Sequence, residues 1–135
     1  MLRFLIGLFV ILHGLVHLWY FALSRGLVQF QPEMGWSGRS WIFTNLLGDS
    51  ATRSLASVLY ILATIGLVLS GTGIFLRVEG WGTILVGSLI FSSVIILLMW
   101  DGGMQLIVQK GLIGLLINVV VLMALILFKW LIAAF

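Results

Sequence analysis

The sequence has no cysteine among its 135 residues and little charge, with seven Lys and Arg against four Asp and Glu. Without cysteine there is no disulfide framework, no thiol relay and no thiolate-ligated zinc or iron–sulfur centre. At 8% charged and 62% hydrophobic, the composition excludes a soluble globular domain, in which about a quarter of the residues are charged and about half are apolar. The basic residues are scattered, so the formal charge of +3 is not the footprint of a nucleic-acid binder. No Asn-x-Ser/Thr acceptor occurs. No carboxylate lies well inside an apolar run. That removes the group a proton-coupled carrier commonly uses and ranks a small transporter last among the functions considered. The run Gly71-Thr72-Gly73 follows no strand and sits within an apolar stretch, so it is not a phosphate-binding loop.

What the chain has is apolar length. Residues 2–23, 51–76, 81–100 and 106–132 are each long enough to cross a bilayer as a helix, which takes roughly 20 residues. The expected fold is an all-α integral membrane protein, one transmembrane domain over residues 1–135. Short connections make an up-down-up-down bundle the default. Ala22-Leu23-Ser24 looks like a signal-peptide cleavage site, but the run before it exceeds the usual 7–15 apolar residues and holds two histidines. We read it as a span. Asp49 or Ser50 suits the start of the second span as a cap. Lys110 and Lys129, near the ends of the fourth span, can extend to the interface.

Trp19, Trp36, Trp41 and Trp100 gather toward the side of the first and third connections, and Trp81 and Trp130 mark the other, as aromatic belts do. Arg3, Arg77 and Lys129 on the terminal side face Arg25, Arg39, Arg53 and Lys110 on the opposite side. Three against four leaves the orientation open.

The first connection, residues 24–50, is more than a linker. It carries Phe30, Trp36 and Trp41, and from Trp41 onward Ile42, Phe43, Leu46 and Leu47 fall at helical spacing. Ser37 or Ser40 suits the cap and Gly48 the end of a short amphipathic helix. That helix is expected at the interface or folded back over the bundle, as an anchor or as a lid.

The most informative residues are His13 and His17, inside the first span. Ionisable side chains at that depth are costly and face a bundle interior or a cavity. Four residues apart, they share one helix face, on a stripe that continues through Tyr20. Two imidazoles so placed suit one metal ion, but further histidine, cysteine or intramembrane carboxylate ligands are lacking, so no four-ligand metal site is expected, while an open site completed by water, or proton transfer, stays among the alternatives. Haem would require one axial histidine, a second chain or a methionine ligand. The plain alternative is hydrogen bonding within the bundle. Asn118 lies near the middle of the fourth span, on a face with Gly111 and Gly114, and Ala63, Gly66, Ser70 and Gly73 line the second. Small residues let membrane helices approach, and Asn, Ser and His bond across the contact. A polar layer of His13, Thr64, Ser88 or Ser92, and Asn118 is expected at mid-membrane. At the first-connection end, Arg39 and Arg53 either meet a phosphate or carboxylate or pair with Asp49 and Asp101. The candidate ligand-binding set is therefore His13, His17, Tyr20, Asn118, Arg39, Trp100 and Asp101.

The stretch Leu2-Arg3-Phe4-Leu5-Ile6-Gly7-Leu8 through His13-Gly14-Leu15 resembles the opening helix of the DoxX-like small membrane proteins. Those are also four-helix proteins, and some are subunits of quinone-linked oxidoreductases. The basic residue usual shortly after His-Gly is replaced here by His17. The resemblance implies the four-helix architecture.

Two functional classes stay open besides the transporter. One is an accessory or scaffold subunit of a larger membrane assembly, paired with other subunits or with copies of itself. The other is a haem- or quinone-type ligand binder working through His13 and His17.

Overall fold

The computed structural model describes residues 1–29, 31 and 34–128, and among them the regular structure is all helical, with no strand. The elements in order are α1 (Leu2–Ser24), α2 (Phe43–Leu76), α3 (Trp81–Met99), a π-helical turn (Val108–Leu112) and α4 (Ile113–Leu127). Four helices, the last counted with its π turn, are long and apolar enough to cross a membrane. Phe30, Lys129, Trp130 and the end of the expected fourth span lie outside the described residues.

Two expected boundaries change. The second span was expected from residue 51, yet α2 begins at Phe43 and is interrupted at Gly48, whose φ of 82° and ψ of 171° break the helical path. The helix expected to end at Gly48 therefore runs directly into the span. Its start is organised by Ser40. The Ser40 hydroxyl accepts from the backbone N–H of Ile42 (3.3 Å) and of Phe43 (3.1 Å), while the Ser40 N–H donates to Thr44 Oγ1 at 2.8 Å. This satisfies donors that a helix start leaves open. Asp49 and Ser50, expected as caps, lie inside α2. The second change is in the fourth span, where Leu106 (φ 53°) and Gly111 (φ 114°) take left-handed backbone around the π turn. A left-handed Leu costs about 1–2 kcal/mol. Such interruptions are frequent at functional sites.

Apolar burial gives little drive between helices surrounded by lipid, so close packing and hydrogen bonds hold them together. α1 meets α2 backbone to backbone at Gly7 and Gly71. A Cβ at Gly71 would lie 2.7 Å from the Gly7 carbonyl oxygen, so no larger residue fits that contact. Two apolar clusters fill the bundle. One holds Leu23, Trp36, Ala56, Tyr60, Ala63, Ile95 and Met99. The other holds Val10, Leu67, Ile74, Trp81, Leu85 and Leu89. Between them along α1 and α3 lie His13, His17 and Ser92, all buried, joined by Asn118 from α4. Asn118 is the one buried residue of α4.

Candidate functional site

The polar layer ties α1, α3 and α4 together. His13 Nε2 lies 2.7 Å from Asn118 Oδ1, and Asn118 Nδ2 donates to Ser92 Oγ (2.9 Å) and Ser93 Oγ (3.1 Å). His17 Nε2 lies 2.6 Å from Ser92 Oγ, and His17 Nδ1 lies 3.2 Å from the His13 carbonyl oxygen.

These contacts determine where the hydrogens sit. A carbonyl only accepts, so His17 Nδ1 carries the hydrogen facing the His13 oxygen. In the neutral ring His17 Nε2 is then an acceptor and takes the Ser92 hydroxyl hydrogen. Ser92 Oγ, having donated to His17, accepts from Asn118 Nδ2. Ser93 leads to the same amide orientation independently, because its hydroxyl already donates to the Leu89 carbonyl at 2.8 Å and so only accepts from Asn118. Asn118 Oδ1 therefore faces His13, and His13 Nε2–H donates to it. One nitrogen is left over. His13 Nδ1, an acceptor in this arrangement, makes no hydrogen bond among the described residues.

His13 and His17 line a cavity of about 160 Å³ together with Tyr20, Ile96, Gly111 and Ile117. The π turn forms one wall of it, and the two imidazoles meet edge to face with centroids 5.6 Å apart. Tyr20 donates its hydroxyl to the Gln109 carbonyl of the π turn at 2.9 Å and stacks on Tyr60, centroids 5.2 Å apart. The open acceptor of His13 thus belongs to a residue on the wall of a small, mostly apolar cavity.

The expected layer is only partly the observed one. His13, Ser92 and Asn118 meet as the spacing suggests, and His17 and Ser93 join them. Thr64 turns back to its own helix, bonding the Tyr60 carbonyl at 3.0 Å, and Ser88 packs beneath Gly66 of α2. Ser93 carried no signal apart from its place beside Ser92.

The other candidate residues sit elsewhere. The first connection covers the end of α3, whose last carbonyls no intrahelical N–H can reach. Trp41 Nε1 donates to Leu97 O at 2.9 Å, the Ser40 hydroxyl to Leu98 O, Trp36 Nε1 to Met99 O at 2.7 Å, and the Trp41 backbone N–H to Trp100 O at 2.8 Å. Four successive carbonyls are satisfied by a six-residue loop, and Trp36 is buried in the process. Two tryptophans expected simply as an interfacial belt thus spend their N–H groups on backbone. The capping spans some sixty residues of sequence, and no local signal announces it. Trp100 donates to the Gly103 carbonyl at 2.9 Å.

Asp101 is not paired with an arginine. Lys110 holds it, with Nζ 2.9 Å from each carboxylate oxygen, and the Gly103 N–H adds a bond at 2.9 Å. Burial pushes the Asp101 carboxyl up. The hydrogen bonds from Lys110 and Gly103 outweigh that and hold it below its ordinary value of 3.8. Arg39 and Asp101 line an open cleft of about 500 Å³ over the loop end, apart from the histidines. The candidate set therefore falls into a mid-bundle group of His13, His17, Tyr20 and Asn118 and a loop-end group of Arg39 and Asp101, with Trp100 contacting neither by hydrogen bond. Among the described residues, no three of His, Cys, Asp and Glu gather in a way that could hold a metal ion. No protein-family model matches the chain, and neither a curated protein nor a solved structure matches it.

Proposed function

We propose that the protein is an integral membrane subunit that supports a larger membrane assembly and performs no chemistry of its own. Its four spans cross alternately, so that the start of α1 and the end of α4 lie on one side, and the first connection sits at headgroup depth on the other. The likeness of α1 to the DoxX-like proteins supports this four-span architecture, and exposed Trp19 and Trp41 at the loop end support the depth. The observation that carries the reading is the self-satisfaction of the buried layer. His17, Ser92, Ser93 and Asn118 spend their hydrogen-bonding groups on one another and on backbone. Groups so committed hold helices together and are poorly placed to move protons or electrons.

One specific observation favours a second reading, a membrane-embedded ligand binder. It is the open Nδ1 of His13, which lines the 160 Å³ cavity. An engineered apolar cavity of about 150 Å³ takes a benzene ring. As an acceptor, His13 Nδ1 would select a ring-sized molecule that offers an O–H or N–H rather than a bare carbonyl.

Native mass spectrometry of the protein, extracted gently from its own membrane, tests both. The subunit reading expects a stoichiometric complex with other polypeptides that survives in His13→Leu. A chain travelling alone, with a small bound mass that disappears in His13→Leu, overturns it in favour of the ligand binder.

A further inference from the structure

The cleft over the loop end is a different kind of site from the histidine layer. Its walls come from three segments far apart in sequence: Arg39 and Trp41 of the first connection, Asn45 of the first turn of α2, and Asp101, Gln105 and Lys110 of the link between α3 and α4. At about 500 Å³ it falls within the range of small-molecule sites, roughly 300–1,000 Å³.

The charges in it are not balanced. The Asp101 carboxylate is consumed by Lys110 and the Gly103 N–H. That neutralises the one lysine and leaves the Arg39 guanidinium, which makes no ion pair or side-chain hydrogen bond among the described residues. The side-chain amides of Asn45 and Gln105 are likewise unspent. Three free donor groups, one of them a fork of N–H bonds with fixed charge, therefore surround one concavity. A guanidinium of this kind matches the paired oxygens of a phosphate.

The surroundings decide what carries that phosphate. Trp41, at the cleft wall, is 54% exposed, and Leu46 and Leu47, the two residues that follow Asn45, are 73% and 50% exposed. Exposed indole and aliphatic surface beside a cationic cleft is what an amphiphile with an anionic head and an apolar tail would cover.

We propose that this cleft binds the phosphate of an anionic phospholipid head group, with Arg39 as its principal contact and Asn45 and Gln105 as supporting donors. The lipid assignment rests on the placement of the loop end at headgroup depth; the phosphate site itself does not.

The test uses the full chain in detergent micelles, titrated with dihexanoyl phosphatidylglycerol, with dihexanoyl phosphatidylcholine and with glycerol 3-phosphate. Bound mass is counted by native mass spectrometry and binding is followed by tryptophan fluorescence. Arg39→Gln is compared with Arg25→Gln, an exposed arginine at the end of α1. Thermal unfolding confirms that each variant folds, and Asn45→Ala serves as a second, milder cleft variant. The expected result is preferential binding of phosphatidylglycerol, weakened about ten-fold by Arg39→Gln, as loss of one charge-assisted pair implies, and unchanged by Arg25→Gln. Binding of glycerol 3-phosphate at equal strength, with the same Arg39 dependence, keeps the phosphate site and overturns the lipid and the headgroup depth with it. Equal losses from both arginine variants, or no loss from either, overturn the site.

Discussion

The mid-bundle layer and the loop-end cap both satisfy polar groups at helix contacts, but with different chemistry. In the layer the participants are side chains from three helices bonded mainly to one another. At the loop end the acceptors are the backbone carbonyls of α3, the donors are two indoles, a hydroxyl and one amide N–H, and an ion pair stands beside them. On the proposed placement, with the loop end at headgroup depth, depth accounts for the contrast. A charge near the bilayer centre is expensive, so a deep contact is built from groups that saturate each other without ionising. Near the rim water and head groups are within reach, so ions are tolerable and tryptophan bridges the apolar and polar sides.

Asn118 offers the sharpest way to break the comparison. Asn118→Leu leaves the His13 Nε2–H facing no acceptor and removes the only buried residue that binds α4 to the bundle. A loss of about 2 kcal/mol is expected, since membrane hydrogen bonds average about 0.6 kcal/mol each and an orphaned donor adds its own cost. Reversible unfolding in bicelles measures it. An unchanged midpoint would mean the layer is incidental to the fold.

Trp36→Phe probes the other region with a smaller change. It keeps the ring but strips the N–H from Met99 O and from Arg39 O. The expected loss is about 1 kcal/mol. Amide exchange in the last turn of α3 should quicken while the imidazole NMR signals of His13 and His17 keep their positions. Movement of those signals would show that the cap and the layer form one unit rather than two.

The smallest expected effect belongs to the ion pair. The folded Asp101 carboxyl is held below 3.8, so its pairing with Lys110 contributes stability above that value. The contribution is lost as pH falls through the lower folded value. The loss should be at most about 1 kcal/mol, because the pair borders the open cleft, where solvent screens it. A pH titration of unfolding should show this step in the native chain and not in Asp101→Asn. Acid loss of the same size in both would remove the pair from the account.

Much of the architecture was legible in the sequence. Apolar runs of bilayer length mark four helices without tertiary information, because a backbone in lipid must bond to itself. The spacing of His13 and His17, and the single amide at Asn118 in an otherwise apolar span, pointed to a buried contact for the same reason: lipid offers polar groups no partner. The interruptions were less legible. Gly48 was visible as a stop, but a stop and a kink use the same residue. The π turn around Gly111 left no mark in a stretch read as continuous helix.

The sequence by itself determined that these helices exist and which side chains must seek partners, since both follow from composition and local spacing in an apolar solvent. Only the tertiary structure decided who the partners are. Ser92 and Ser93 receive the amide instead of Thr64 or Ser88, Lys110 takes Asp101 from the arginines, and a loop of Trp36, Ser40 and Trp41 closes the end of a helix some sixty residues away. These choices depend on how the helices rotate and stack against each other, and that packing is a property of the whole bundle and of no single segment.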